Sequence, residues 1–198
     1  MSAADVSVAD RDAYAATMNQ EQSPMKETNR LIPRKPVPDL EVPTTAGGVW
    51  RLADRSPQNL ALILFYRGLH CPICKVQMRE WDGKLEELTK RGVDVIAVST
   101  DTRERALKTR EDWGLRNLTL GYGLSVEKAR EWGLYISRSI KEIEPAEFSE
   151  PGLFLIKPDK TLFAAQVSTM PFARPPFADV VRAIDFVVQN NYPARGEA

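Results

Sequence analysis

Cys71 and Cys74 are the only thiols in this 198-residue chain, and they stand three positions apart in His70-Cys71-Pro72-Ile73-Cys74. A cysteine attacks as its thiolate, and a helix N-terminus lowers a thiol pKa through unpaired backbone N–H groups and the positive end of the macrodipole. The surrounding residues predict that placement. Leu60 to Tyr66 is a continuous apolar run of strand length that Gly68 ends. Cys71, Cys74, Met78, Trp81, Leu85 and Leu88 then recur at intervals of three and four, the period of one helical face, and the helix is expected to stop at Arg91-Gly92. Pro72 suits the first helical position, where its missing N–H costs nothing, so Cys71 is expected at the N-cap and Cys74 as the third helical residue. On that geometry the N-cap sulfur should be the more exposed and the attacking one, with Cys74 resolving it to a disulfide. His70, beside the pair, could tune the thiol as a cation or carry a proton.

A cysteine pair can also be half of a zinc site or two inert core thiols. Zinc needs two more ligands, and the chain has no other cysteine and only one histidine, so it cannot close such a site alone. No metal and no organic cofactor are expected. In a reducing compartment a lone close pair is better explained as a cycling redox site than as a structural staple.

Lys plus Arg equals Asp plus Glu at 27 each, so no global field draws in nucleic acid or an anionic membrane. The 43% hydrophobic content suits one core and an added arm. Met1 to Asp10 carries no apolar signal core, and no later run approaches a membrane span, which gives cytoplasmic location as the expectation.

Residues 1–32 read as an N-terminal extension, partly helical over Val8 to Met18, and residues 33–198 as the domain. Thr44 to Leu52 reads as a hairpin and Val93 to Ser99 as a second buried strand, so strand, helix and strand form a parallel βαβ unit with the cysteines at the carboxyl end of its first strand. A helix over Thr102 to Trp113, a strand at Leu118 to Leu120 and a helix over Ser125 to Trp132 follow. Gly152 to Ile156, Thr161 to Val167 and Phe177 to Val188 complete a ββα unit. The class is α/β: a thioredoxin fold with an inserted strand and helices. Trp50, Trp81, Trp113 and Trp132 read as core or subunit contacts. The charges of Arg103 to Glu111 read as a solvated helix face.

From Pro38 to Asn190 the chain resembles the peroxiredoxin-like branch of the alkyl hydroperoxide reductase and thiol-specific antioxidant (AhpC/TSA) family. Phe65-Tyr66-Arg67-Gly68 leading into Cys71-Pro72-Ile73-Cys74, then Ser99-Thr100-Asp101, then Phe154-Leu155-Ile156-Lys157-Pro158-Asp159 stand in that family's order. The resemblance implies a peroxidase that cycles through a Cys71–Cys74 disulfide, an external dithiol reductant of thioredoxin or glutathione type, and, with the N-terminal arm, a homodimer. The family pattern Pro-x-x-x-Thr-x-x-Cys puts Arg67 at the Pro, Cys71 at the Thr and Cys74 at the nucleophile, so this register and the N-cap argument name different attacking sulfurs. The family's second-half Arg would fall near Pro151, which leaves Arg67 and Arg174 as candidate cations for the thiolate. Pro151 also resembles the proline that thioredoxins hold in cis beside their cysteines, whose preceding backbone is free to pair with an extended disulfide substrate. Two alternatives therefore stand beside the peroxidase: a thiol–disulfide oxidoreductase acting on protein disulfides, and a redox-sensing interaction module whose surface lies near Phe172 and Arg174.

Overall fold

The computed structural model describes residues 30–198; the helix expected over Val8 to Met18 lies outside the described residues. A hairpin of Glu41–Pro43 (β1) and Val49–Arg51 (β2) leads into the central strand Leu60–Phe65 (β3), all six residues of which are buried. Helices Pro72–Gly83 (α1) and Leu85–Thr89 (α2) return the chain to Val93–Val98 (β4), which pairs parallel to β3. Arg103–Trp113 (α3), Thr119–Gly121 (β5) and Val126–Glu131 (α4) follow, with Thr102 and Ser125 capping the two helices. A hairpin of Ile136–Arg138 (β6) and Glu147–Ser149 (β7) precedes Gly152–Ile156 (β8), Leu162–Val167 (β9) and the closing helix Phe177–Asn190 (α5).

The main sheet has the order β5-β4-β3-β8-β9, with β8 antiparallel to β3 and β9 antiparallel to β8. Successive side chains of a strand point to opposite faces, so a fully buried β3 needs a core on each side. Leu60, Leu62, Leu64 and Tyr66 pack with Met78, Trp81 and Leu88 and with Phe177 and Ile184 of α5. Ala61, Ile63 and Phe65 pack with Leu40, Trp50, Trp132 and Phe154. All four tryptophans are core residues, the first of the two roles expected for them.

Two expectations change. The long helix expected to run to Arg91 breaks at Lys84 into α1 and α2. Gly83 ends α1, and glycine carries the largest backbone entropy cost of the ordinary residues within a helix. Asp82 meanwhile turns its buried carboxylate to the backbone N–H groups of Arg116, Asn117 and Leu118. The β6–β7 hairpin was not foreseen, because three-residue strands are too short to show a period of two. None of the described helices is long and apolar enough to cross a membrane.

The turn between β3 and α1 is held from the end of β4. Gly68 has φ 121°, and a Cβ there would lie 2.6–2.8 Å from the Asp101 carboxylate. That carboxylate, with a fully buried side chain, accepts from Leu69 N–H at 2.8 Å and from Arg105 Nε at 2.7 Å. Arg105, expected on a solvated face, is thus part of the clamp. The Gly68→Ala variant combines a strained φ with a clash and is expected to lose more than about 2 kcal/mol of stability. Urea denaturation checks this; an unchanged midpoint would show that the turn relaxes freely.

Candidate active site

Cys71 is the N-cap of α1, with extended backbone (φ −97°, ψ 105°), and its Sγ accepts the Cys74 backbone N–H at 3.2 Å. Pro72 follows in the first helical turn, as expected. Both cysteines are free thiols and both are buried, Cys71 at 1% exposure and Cys74 at 0%. The expectation that the N-cap sulfur would be exposed is therefore corrected: the Cys71 side chain packs into the same core layer as Tyr66 and Cys74, although of the two only Cys71 lines a cleft. Electrostatics separates the two sulfurs instead. Cys71 is lowered to about 6, first by a hydrogen bond from the Cys74 thiol, which outweighs burial, then by the Cys74 N–H and the charges of Arg67 and Arg174. Cys74 is pushed up by burial, by that same hydrogen bond and by the charge on Cys71. At neutral pH the pair is one thiolate and one thiol, a nucleophile with a proton-bearing partner.

Both arginines singled out in the sequence reach the pair. Arg174 Nη1 lies 3.8 Å from Cys74 Sγ and donates to Gln77 Oε1. Arg67 sits with its guanidinium carbon 4.7 Å from the Phe148 ring centroid, and is paired with Glu150 Oε2 at 3.4 Å and Glu144 Oε1 at 3.9 Å. Glu150 is 3% exposed and its other oxygen accepts from Ser137 Oγ at 2.6 Å. His70 packs edge-on to Phe148, centroids 4.6 Å apart, and neither ring nitrogen has a hydrogen-bond partner among the described residues. Burial, then the Arg67 charge, hold it below its usual value, so at pH 7 it is neutral and can carry a proton but not serve as a cation. Of the Met170–Phe177 loop, Arg174 points to the sulfurs, whereas Met170 and Phe172 are about half exposed.

Sequence reasoning missed Glu150, Phe148 and Gln77, and read Asp101 only as part of a family landmark, without its hold on the turn before Cys71. An acidic residue directly before a proline, at the head of an apolar strand, was the signal for Glu150. Pro151 is not in cis: no peptide bond among the described residues is. The backbone ahead of it is not free either, because Glu150 N–H donates to the Tyr135 carbonyl at 2.8 Å and β7 is paired with β6. The unforeseen hairpin occupies the edge that an extended substrate would need.

A cleft of about 310 Å³ opens onto Cys71 between Pro72, Lys75 and Trp113. A larger cavity, about 590 Å³, lies around Trp132, Leu162 and Arg195 and is lined by neither cysteine. Among the described residues no group of three or more His, Cys, Asp or Glu side chains is arranged to hold a metal ion.

The sequence model of the AhpC/TSA family matches residues 33–165, and the chain belongs to that family. It is a thiol oxidoreductase of the peroxidase type. A candidate peroxiredoxin of Mycobacterium tuberculosis, Rv2521, is 28% identical over 115 residues, 56% of this chain and 69% of that protein. The crystal structure of the peroxidoxin BcpB from the same species superposes with TM-score 0.64 at 19% identity, over 78% of this chain and 96% of its own. The reduced 2-Cys peroxiredoxin of Plasmodium vivax gives TM-score 0.68 at 16% identity, over 82% and 84%. These likenesses establish the peroxiredoxin form of the thioredoxin fold.

Alkylation of Cys71 should follow a thiolate that is lost as the pH falls through about 6. Cys74→Ala removes the leading cause of that lowering, so its midpoint is expected to move up toward the ordinary thiol range. Ultraviolet thiolate absorbance against pH checks both; an unmoved midpoint would assign the lowering to the helix and the arginines.

Proposed function

We propose that this chain reduces hydroperoxides with Cys71 as the attacking thiolate and Cys74 as the resolving thiol. The observation that supports the reading best is the pair of hydrogen bonds, from the Cys74 N–H and thiol, that keep Cys71 ionised inside a protein of the AhpC/TSA family. Cys71 Sγ attacks one peroxide oxygen; an S–O bond forms, the O–O bond breaks, and the alkoxide or hydroxide leaves and takes its proton from water, which the neutral His70 on the cleft wall can relay by giving up one N–H while accepting another proton. Cys71 is then a sulfenic acid, oxidised by two electrons. Cys74 attacks it, water departs and the Cys71–Cys74 disulfide closes, with the Arg174 cation favouring the Cys74 thiolate that this step requires. An external dithiol of thioredoxin or glutathione type returns two electrons and two protons. Arg67, held by Glu150 and Glu144, and Pro72 position the site. We assign this chemistry to residues 33–198, with 1–32 as an extension, and place the protein in the cytoplasm as a homodimer.

Disulfide exchange is the weaker reading because the backbone before Pro151 is already bonded to Tyr135. Stopped-flow tryptophan fluorescence of the reduced protein mixed with hydrogen peroxide tests the choice. The expected second-order rate is more than about a hundredfold above that of a free thiol, the scale of preorganised electrostatic stabilisation. Cys71→Ser should abolish it, and Cys74→Ser should stop at a Cys71 sulfenic acid visible by mass spectrometry. A sulfenic acid trapped only in Cys71→Ser would reverse the two roles. A rate no better than a free thiol would give the site to disulfide exchange or sensing.

A further inference from the structure

The cleft over Cys71 is much larger than hydrogen peroxide requires. Its volume of about 310 Å³ is on the order of ten times the ~30 Å³ share of one water in the liquid. Its walls are of two kinds. Leu69, Trp113 and Ile143 supply apolar surface, and Ile143 is 63% exposed although it stands between charged residues on the β6–β7 connection. Lys75, Lys108 and Asp112 supply charge. Lys108 Nζ is neutralised by Asp112 Oδ2 at 3.1 Å, across one turn of α3. Lys75 lies one turn above Cys71 on α1, partly buried, with no ion-pair partner among the described residues. His70, also on the wall, is neutral at pH 7. The charge of the thiolate is met by Arg67 and Arg174. Among the described residues Lys75 is therefore the one uncompensated cation on a cleft with an apolar wall, one helical turn from the attacking cysteine.

We infer that this cleft selects organic hydroperoxides that carry a carboxylate, with Lys75 as the specificity-determining residue and Leu69, Trp113 and Ile143 as the seat for the organic body. The inference rests on the peroxidase reading above. A compact hydroperoxide places its O–O bond at Cys71 Sγ and its carboxylate on Lys75 Nζ, since positions four apart on a helix lie about 5–6 Å apart at Cβ and the lysine side chain adds its own reach. An apolar body gains by leaving water, and a charge-assisted hydrogen bond fixes its orientation. Hydrogen peroxide gains neither.

The test uses hydrogen peroxide, cumene hydroperoxide and para-carboxylated cumene hydroperoxide at pH 7. Each second-order rate for the full chain is divided by that of free cysteine with the same peroxide. The carboxylated compound should exceed cumene hydroperoxide by about fivefold, the scale of one partly exposed ion pair, and cumene hydroperoxide should exceed hydrogen peroxide. The ratio of carboxylated to neutral compound is measured within each variant, so any change in the thiolate itself cancels. Lys75→Glu should bring that ratio below one, and Lys75→Gln, which keeps most of the stem, should bring it close to one. Equal rates for the two cumene compounds in the unaltered protein, or a preference that survives Lys75→Glu, would overturn the assignment of Lys75. A normalised rate with hydrogen peroxide that matches or exceeds cumene hydroperoxide would overturn the apolar seat. If none of the three peroxides outpaces free cysteine, the peroxidase reading itself has failed.

Discussion

A sulfur atom caps the first turn of α1, and the other features of the site depend on that one contact. N-caps are usually oxygen, because a short, strong acceptor best satisfies the open N–H groups of a first turn. Here the acceptor is Cys71 Sγ, which is a good acceptor only when ionised, so the helix start and the thiolate stabilise each other. The contact requires the chain to leave β3 and turn sharply within a few residues. Gly68 permits that turn, Asp101 fixes it, and Pro72 starts the helix without a wasted donor.

The consequence is a charge asymmetry between two sulfurs that burial alone would treat alike. The hydrogen bond that lowers Cys71 raises Cys74, so ionisation of one opposes ionisation of the other. The two arginines are not equivalent in this field. Arg67 divides its field between the Cys71 thiolate and the carboxylates of Glu150 and Glu144, whereas Arg174 meets a neutral amide, Gln77, and lies against Cys74, the sulfur that is still protonated. The site thus holds a second cation in reserve for the second half of the cycle.

Local signals carried much of this into the sequence. The apolar run 60–66, the three-and-four spacing from Cys71 to Trp81 and the cap residues Thr102 and Ser125 state their structure in adjacent residues, and the two cysteines with Pro72 declare the N-cap. What stayed hidden depends on distant partners. Glu150 matters because β7 brings it to Arg67, Asp82 because its carboxylate finds the backbone of 116–118, and the burial of Cys71 because of the core layer around it. The resemblance of Pro151 to a cis proline failed for a similar reason: the β6–β7 hairpin that bonds Glu150 to Tyr135 leaves almost no mark in residues 136–149.

The pairing of β3 with β8 joins residues far apart in the chain, Ala61 to Ile156 and Phe65 to Gly152. Chains grow from the N-terminus, and contacts between distant segments form late because loop closure must precede them. The thiols are therefore synthesised well before Glu150 and Arg174 and before the strand that seals their layer. The Cys74 N–H and thiol and the Arg67 charge that ionise Cys71 lie within a few residues of it, so docking of the last third adds Arg174 and the enclosure rather than the nucleophile itself. A pair whose two members are made together thus gains its cover, and the cation beside Cys74, only when the distant strand and loop have docked.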